Sequence, residues 1–418
     1  MHGEIITIGN ELTSGRTVDI DSCHAARRLT AAGLQVTRII SVGDDYEMVS
    51  EVLRKAVARS SFVIVTGGLG STRDDMTTAI VSKSLDRPLC LDQQLLEKIK
   101  TYARARRIRI TPSLEKMAWL PQGSRILSPD GRACGFSLVE GEVRLYFLPG
   151  VPEQMRYLMD EVVVPEILSL YKGIPVTGQR VLKLYGLSEP EIVEIFDGYL
   201  EDRGDVEFGF YPNFPENFIT ITLKGPEEHA VTKELDRIEK EVWQLLGANI
   251  FAIDNETMEE RVGLMLTEKG LTLSVAESCT GGLVGHRLTS VPGSSGYFQG
   301  GVVVYSNRSK IELLDVKQET LETYGAVSDE TVREMARGVS ERMGTDLGLA
   351  ITGIAGPEGG SEEKPVGTVH MGLATGKEIF SGKYRFWGDR HKVKLNASTM
   401  ALDWVRRYLN GDPFLPGV

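Results

Sequence analysis

Short apolar runs alternate with amphipathic segments along much of the chain, which predicts strands and helices in turn. Gly33 follows the first helical pattern, at a position where glycine commonly ends a helix. This alternation predicts a parallel sheet with helices on both faces, in which ligands bind at the carboxyl ends of the strands. The elements predicted in the amino-terminal part are strands at 4–8, 34–42 and 62–65 and helices at 21–32 and 46–59.

The middle and carboxy-terminal parts carry two further patterns. Between 180 and 246 the predicted order is strand (180–185), helix (189–200), strand (207–211), strand (218–223) and helix (228–246), which is typical of a small α+β module. After 253 the strand–helix alternation returns. Its predicted elements are helices at 257–268, 283–288, 329–343 and 396–409, strands at 271–275, 346–351, 366–374 and 379–386, a strand that starts at 302 and ends near Lys310, and a loop at 358–365.

The predicted fold class is therefore α/β, with two doubly wound three-layer α/β domains joined by a small α+β domain. We place the domains at 1–170, 171–252 and 253–418. The 418 residues are enough for two to four domains that each bury a core. The glycine- and charge-rich loop at 358–365 is expected to lie near a functional site.

Composition narrows the class of protein. The formal net charge of −11 argues against a general nucleic-acid binder, because phosphate binding needs a basic face. The four cysteines are scattered without a Cys-x-x-Cys pair, which indicates neither a zinc site nor a disulfide framework. No signal peptide is recognised, and no apolar run reaches the ~18 residues of a membrane span. We expect a cytoplasmic protein that binds neither nucleic acid nor membrane.

Residues 276–282, Ala-Glu-Ser-Cys-Thr-Gly-Gly, lie where a predicted strand turns into a helix. Such a turn exposes Ser278 beside backbone N–H groups that can hold an oxyanion, at Thr280–Gly282. Lys310 supplies a base if burial removes its charge, so the pattern indicates a Ser–Lys hydrolase. Three alternatives remain open: Ser278 or Thr280 only caps the helix, Cys279 is the nucleophile, or His391 is the base.

Four blocks of this part resemble the CinA carboxy-terminal family, which contains nicotinamide mononucleotide deamidases. They are 277–282, 304–307 with Lys310, 352–357 and 388–390. The resemblance implies hydrolysis of nicotinamide mononucleotide to nicotinic acid mononucleotide and ammonia, without a cofactor. By that analogy Ser278 is the nucleophile and Lys310 the base. The residues expected to support them or to bind substrate are Tyr305, Thr280, Gly281, Gly282, Thr352, Gly353 and Arg390, of which Arg390 can pair with the phosphate.

A second candidate site follows the strand at 62–65, where the chain reads Thr-Gly-Gly-Leu-Gly-Ser-Thr-Arg-Asp-Asp. Gly67, Gly68 and Gly70 allow close approach of a backbone to a phosphate. Asp74 and Asp75 would then hold a hard cation or a ribose hydroxyl. The alternative is that these carboxylates only complement a helix dipole.

The amino-terminal part resembles the molybdopterin-binding (MoCF-like) domain of CinA proteins through 9–12, 67–75 and 147–155. The resemblance implies metal-dependent cleavage of ADP-ribose. It adds Glu11 and Asp21 to the predicted metal ligands, for Mg²⁺, Mn²⁺ or Co²⁺, with K⁺ as a further candidate. The chain departs from the family's pattern at three places: Asp19-Ile20-Asp21 stands for Asp-Thr-Asn, Ser71 for Pro, and Gly131-Arg132-Ala133-Cys134-Gly135 for Gly-x-Ala-Pro-Gly.

The middle part is similar to the KH-like domain of CinA proteins, but it lacks the Gly-x-x-Gly loop that clamps RNA. A structural spacer or a contact in a homodimer is the favoured interpretation. The predicted function is a hydrolase that recycles pyridine nucleotides, with small nucleotides as its partners. The non-enzyme alternative is a nucleotide sensor for competence or DNA damage, in which one or both sites bind without turnover.

Overall fold

A computed structural model describes residues 1–128, 133–171, 173–200, 203–204 and 206–417. It divides into two compact units, which are described in turn. The first comprises Met1–Gly178 with Lys224–Thr232, and the second comprises Gln179–Leu223 with Lys233–Val418. None of the helices in the described ranges has the length and apolar character needed to cross a bilayer.

The first unit is built on a six-stranded sheet in the order β2-β1-β3-β8-β7-β6. Apolar cores cover both of its faces, as the alternating pattern predicts. Its strands are β1 (His2–Ile8), β2 (Gln35–Val42), β3 (Phe62–Thr66), β6 (Arg125–Ile126), β7 (Phe136–Glu140) and β8 (Val143–Leu148), beside a small ribbon of β4 (Leu89–Leu91) and β5 (Trp119–Pro121). Its helices are α1 (Asn10–Thr13), α2 (Ile20–Ala31), α3 (Tyr46–Arg59), α4 (Thr77–Ser84), α5 (Gln93–Ala105), α6 (Pro112–Glu115), α7 (Pro152–Leu158) and α8 (Val164–Leu170).

The sheet is mixed, and this corrects the expectation of a purely parallel sheet. β2, β1, β3 and β8 run parallel, but β7 and β6 run antiparallel to their neighbours. The physical reason is the short link between β7 and β8, because two residues can join only antiparallel strands. The three parallel strands β1, β2 and β3 still end at one edge, where the amino-terminal candidate site was expected.

Three aspartates start helices in this unit. Asp19, Asp45 and Asp92 precede α2, α3 and α5, and each carboxylate accepts a hydrogen bond from a first-turn N–H at 2.9 Å. Such caps pair backbone donors that the helix leaves free and complement its dipole. The boundaries of α2 and α3 therefore follow from the sequence.

The second unit contains two sheets. Its first sheet is antiparallel in the order β10-β11-β9-β12, with strands β9 (Val176–Leu184), β10 (Val206–Asn213), β11 (Glu216–Gly225) and β12 (Ile250–Ile253) and helices α9 (Glu189–Phe196) and α10 (Glu228–Leu246). Its second sheet has the order β14-β13-β15-β16-β17. The strands are β13 (Leu273–Glu277), β14 (Phe298–Val303), β15 (Leu347–Gly353), β16 (Thr368–Ala374) and β17 (Ile379–Arg385), and the helices are α11 (Met258–Lys269), α12 (Leu283–Thr289), α13 (Asn307–Leu314), α14 (Gln318–Tyr324), α15 (Asp329–Met343) and α16 (Arg390–Asn410).

The second sheet of this unit positions the catalytic candidates. β14, β13 and β15 are parallel neighbours, so their carboxyl ends lie together at one edge. β16 and β17 run antiparallel to their neighbours, so this sheet is also mixed. One face packs against α11, α12 and α16, and the other packs against the helices that follow β14. The turns after Glu277, Val303 and Gly353 therefore meet in space.

Two elements of this region differ from the prediction. Lys310 lies in helix α13, not at the end of a strand, because the Ser306 hydroxyl caps the helix by accepting from the Ser309 N–H at 3.1 Å. Helix α16 begins at Arg390, earlier than the predicted 396, because the Asp389 carboxylate accepts from the Lys392 N–H at 2.9 Å.

Helix α16 also carries a buried charged group that ties together both sheets of the second unit. Asp403 is fully buried and pairs with Arg406 and Arg407 at 2.7 and 2.6 Å. The two arginines in turn donate to the Ala248 carbonyl and the Asn249 side chain, beside β12. Each of these charges is thus paired, which is the condition for keeping it out of water.

Candidate functional site

The turn after β13 is held by Glu277. Its buried carboxylate accepts hydrogen bonds from the N–H groups of Gly282, Val284 and Gly285 at 2.9, 3.2 and 2.8 Å. Glu277 therefore caps α12, and neither Ser278 nor Thr280 has that role. This leaves the Ser278 hydroxyl available for another partner.

That partner is Lys310. Its Nζ lies 3.2 Å from Ser278 Oγ and 2.7 Å from the Val304 carbonyl, and both side chains are buried, with 1% and 7% of Lys310 and Ser278 exposed. Burial lowers the pKa of the Lys310 ammonium to about 8. The pair combines a nucleophile with a base that is partly neutral near physiological pH. The histidine alternative loses its support, because the exposed His391 is not the hydrogen-bond partner of Ser278.

Cys279 does not have the properties of a reactive nucleophile. Its side chain is 5% exposed, and burial raises the pKa of the thiol to about 12. The attacking species is the thiolate, which is scarce at neutral pH for such a group. The geometry therefore favours Ser278 over Cys279.

Tyr305 and Arg390 form a second pair beside the first. Arg390 donates to the Tyr305 hydroxyl at 2.9 Å and to the Gly356 carbonyl at 2.7 Å. Tyr305 follows Val304, whose carbonyl accepts from Lys310, so the two pairs are joined through adjacent residues. Both Tyr305 and Arg390 are exposed and can reach a ligand.

Other predicted site residues are buried within the protein. The buried Thr352 hydroxyl donates to the Ala326 carbonyl at 2.7 Å. The Thr280 side chain is fully buried, and its Oγ1 has no hydrogen-bond partner within the described ranges. A Cβ at Gly353 would lie 2.7 Å from the Thr368 carbonyl, so this glycine is required by the contact with β16. Thr352, Thr280 and Gly353 therefore present no exposed side chain to a ligand.

The predicted oxyanion-binding amides are also partly engaged. The Gly281 N–H donates to the Ser278 carbonyl at 3.1 Å, and the Gly282 N–H donates to Glu277. Of the three backbone N–H groups predicted to bind the oxyanion at Thr280–Gly282, only that of Thr280 is not a donor in either of these hydrogen bonds. The positive φ angles of Gly281 and Gly282, 64° and 93°, explain why both positions are glycine.

Two residues of this site were not predicted from the sequence. Glu277 was quoted in the motif without a role, although an acidic residue before a helix is a known capping signal. Lys394 lies one turn after Arg390, and a Cβ at Gly281 would be 3.5 Å from its Nζ. Only the folded chain brings Lys394 to this turn, but the spacing of four from Arg390 could have suggested it.

The amino-terminal candidate site is a cavity of about 600 Å³. The residues that line it include the glycine turn on one side and apolar side chains of α5 on the other, among them Leu95, Ile99 and Tyr102. Its volume lies in the range of ~300–1,000 Å³ found for small-molecule sites. Gly131 and Arg132 of the quoted motif lie outside the described residues.

Two glycines of this turn are required by the protein's own packing and backbone conformation. A Cβ at Gly67 would lie 2.1 Å from the Ile8 carbonyl, and one at Gly68 would lie 2.1 Å from Thr77 Oγ1, and both residues have positive φ angles. A Cβ at Gly70 would lie 2.5 Å from Asp75 Oδ2, at the end of a side chain that can move. All three glycines still line the cavity, so their backbones are accessible to a ligand.

The four predicted metal ligands are not brought together. Glu11, Asp21 and Asp75 line the cavity, whereas Asp74 is not among its lining residues. Asp74 and Asp75 also accept hydrogen bonds from Thr72. Within the described ranges no group of three or more His, Cys, Asp or Glu side chains is placed to hold a metal ion. These residues therefore do not fit one metal centre, and no catalytic step is derived through a metal.

The pKa values of the carboxylates around this cavity are shifted in different directions. Burial, with the neighbouring Asp19 charge, raises the pKa of Asp21 to about 6, and Asp21 Oδ1 has no hydrogen-bond partner within the described ranges. Burial also raises the pKa of Asp44, with added repulsion from Glu11 and the two aspartates after the glycine turn. The hydrogen bond from Thr72 lowers the pKa of Asp74, which precedes α4 and is not in its first turn.

Comparison with protein families gives three matches along the chain. Residues 4–169 match the probable molybdopterin binding domain, residues 179–252 match the damage-inducible protein CinA KH domain, and residues 255–409 match the CinA C-terminal domain. The three matches agree with the α/β, α+β and α/β regions seen in the structure.

Similar proteins extend over the whole chain. A CinA-like protein of Geotalea uraniireducens is 41% identical over 97% of this chain and 96% of the relative. A CinA-like protein of Syntrophus aciditrophicus is 43% identical over 97% of both chains. Among solved structures, a competence/damage inducible protein of Agrobacterium tumefaciens is 40% identical, with a TM-score of 0.36, and the match covers 37% of this chain and 93% of that one.

Proposed function

The chain belongs to the CinA family, and from this premise we propose that its carboxy-terminal region hydrolyses the carboxamide of nicotinamide mononucleotide. The observation that carries the proposal is the buried contact of 3.2 Å between Lys310 Nζ and Ser278 Oγ. A serine hydroxyl needs a base to become a nucleophile, and a desolvated lysine can be that base.

The proposed reaction has two steps. Neutral Lys310 accepts the hydroxyl proton while Ser278 Oγ attacks the carboxamide carbon, and the carbonyl oxygen becomes an oxyanion. The C–N bond then breaks, and Lys310 returns the proton to the leaving nitrogen, which departs as ammonia. In the second step water attacks the acyl carbon while Lys310 accepts its proton. The bond between this carbon and Ser278 Oγ then breaks, Lys310 returns the proton to Ser278 Oγ, and nicotinic acid mononucleotide is released.

The surroundings of the pair support this assignment. The Val304 carbonyl fixes Lys310 Nζ beside Ser278, so the base needs no rearrangement before reaction. Tyr305 and Arg390 stand next to the pair and are proposed to bind the ribose phosphate part of the substrate. The Thr280 N–H is the proposed donor to the oxyanion.

Ammonia release from nicotinamide mononucleotide tests the proposal. We expect release by the wild type and its loss in Ser278→Ala and in Lys310→Met, while the matched control Cys279→Ala stays active. Release that survives Ser278→Ala would contradict the assignment of the nucleophile. Binding of the nucleotide without release in the wild type would favour the sensor alternative.

We infer in second place that the amino-terminal cavity binds a phosphorylated ribose compound such as ADP-ribose. The combination of a glycine turn with accessible backbone and an apolar wall containing Tyr102 supports a ligand with both phosphate and ring groups. Titration with ADP-ribose and measurement of AMP, with and without added Mg²⁺ and with a chelator, tests binding, cleavage and the predicted metal requirement separately.

The homodimer and the cytoplasmic location stay predictions, as does the absence of nucleic-acid binding. Light scattering at several concentrations measures the oligomeric state. The boundaries proposed for the three domains also stay predictions, because the structure divides the chain into two compact units.

A further inference from the structure

The first turns of helix α16 carry an unusual concentration of positive charge. Arg390, Lys392 and Lys394 fall within its first five residues, and its first turn contains no acidic residue. Positive side chains are disfavoured at the amino-terminal end of a helix, where the helix dipole is itself positive. The Asp389 carboxylate that caps the helix offsets only part of this charge. A bound anion would remove the mutual repulsion.

Two of these cations face the site of Ser278. Arg390 and Lys394 are four residues apart and therefore lie on one face of the helix. Arg390 contacts Tyr305 and Gly356, and Lys394 Nζ lies beside Gly281 in the turn that follows Ser278. Across the described ranges Lys394 is found in no hydrogen bond or ion pair.

Lys392 lies elsewhere on the same helix. Its Nζ stands 5.8 Å from the centre of the Phe214 ring, which belongs to the turn between β10 and β11. The two lysines thus share a helix end and a charge but face different surroundings, which makes Lys392 a matched control for Lys394.

Arg390 keeps free donors. A guanidinium carries five N–H groups, and the two hydrogen bonds to Gly356 and Tyr305 leave three of them for a ligand. Together with an unpaired ammonium one turn along the helix, they form a two-cation group that suits a dianionic phosphate. The net charge of −11 of the whole chain disfavours such an anion, so local cations are needed to hold it.

We propose that Lys394 is a specificity residue that binds, together with Arg390, the phosphate of the substrate and so selects a carboxamide mononucleotide over the riboside that lacks phosphate. This proposal rests on the proposed function of the Ser278 site. It assigns to Lys394 a role in binding the substrate and none in the bond-breaking step.

The test compares two substrates and two variants. Lys394→Met keeps the length of the side chain and removes its charge. We expect it to lower kcat/KM for nicotinamide mononucleotide by roughly 10- to 100-fold, mostly through KM, as for loss of a charged hydrogen bond. Its kcat/KM for nicotinamide riboside should stay within about twofold of the wild type, and Lys394→Arg should restore much of the loss. Lys392→Met should leave both substrates unaffected.

Several results would overturn the proposal. If Lys394→Met lowers kcat/KM equally for the nucleotide and the riboside, Lys394 acts in the reaction step and does not bind the phosphate. If Lys392→Met has the same effect as Lys394→Met, the effect is one of general electrostatics and not of a specific contact. If the wild type releases no ammonia, the proposed function fails, and the phosphate site is then tested by calorimetry with nicotinic acid mononucleotide and its riboside. Tighter binding of the mononucleotide that Lys394→Met abolishes would support the site, and equal or absent binding of both would refute it.

Discussion

The state of Lys310 predicts how the rate depends on pH. The lysine acts as a base only when neutral, and burial lowers its pKa to about 8. The neutral fraction is then about 1% at pH 6, about 10% at pH 7 and about 90% at pH 9. Since kcat should follow this fraction, it should rise about tenfold from pH 6 to 7 and about fivefold from pH 7 to 8, and then level off.

Measurement of kcat at saturating nicotinamide mononucleotide between pH 6 and 9 tests this expectation. Saturation removes effects of the substrate's own phosphate, whose second pKa is about 6. Lys310→Arg should lower the plateau by roughly 10²–10⁴-fold, because a guanidinium remains protonated over this range. Cys279→Ala should keep the wild-type profile, because its thiol does not titrate there.

A kcat that is constant from pH 6 to 9, or that still rises tenfold per pH unit between pH 8 and 9, would refute the role of Lys310 as the base. An unchanged profile in Lys310→Arg would equally contradict it. In the last case another base would have to accept the Ser278 proton, and the contact of 3.2 Å would be structural only.

Three further results are expected. Burial lowers the Lys310 pKa from 10.5 to about 8, so the folded protein disfavours the protonated lysine. The free energy of unfolding should therefore fall by roughly 3 kcal/mol as the pH is lowered from 10.5 to 8. Denaturant titrations of the wild type should show this change relative to Lys310→Met. Glu277→Gln should lower the free energy of unfolding by about 1–3 kcal/mol in the same assay, because an amide group replaces an oxygen that accepts helix N–H groups. Thr352→Val should lower the free energy of unfolding by a similar amount, because the Ala326 carbonyl loses its hydrogen-bond donor, while kcat changes less than about threefold. A large loss of kcat at unchanged stability would instead support a role of Thr352 in the substrate site.

The sequence predicted best those elements whose ends are fixed by local chemistry. Helices at 46–59, 228–246 and 329–343 have the predicted bounds. Two of them are capped by Asp45 and Ser328, whose side chains accept from N–H groups three residues along the chain. The periodic spacing of apolar residues predicted the rest of each helix.

The errors arose where competing local signals were present. Val302–Val304 favour a strand, but Ser306 and Ser309 form a reciprocal cap after it, and this cap starts the helix that contains Lys310. The mixed direction of both large sheets depends on hairpins whose pairing is decided by tertiary packing.

The candidate site was predictable only in part, for a similar reason. Ser278 and Lys310 were identified from turn chemistry and family motifs, and the structure places their side chains in contact. Thr352 and Gly353 also belong to a family motif, but they have structural roles. The Thr352 hydroxyl donates to the Ala326 carbonyl, and Gly353 packs against β16. The spacing of four from Arg390 suggests that Lys394 shares its helix face, but the position of Lys394 beside Gly281 follows only from the fold, because the two lie far apart along the chain.

Helix α16 has a practical consequence for work with separate parts of this protein. It presents Arg390 at one end, and about 20 Å further along, at its rise of 1.5 Å per residue, it buries the Asp403 group. Arg406 and Arg407 there depend on acceptors at Ala248 and Asn249, which precede the region matched to the CinA C-terminal domain. A fragment that starts at residue 255 would lack both acceptors, so a fragment intended for assays should begin before β12.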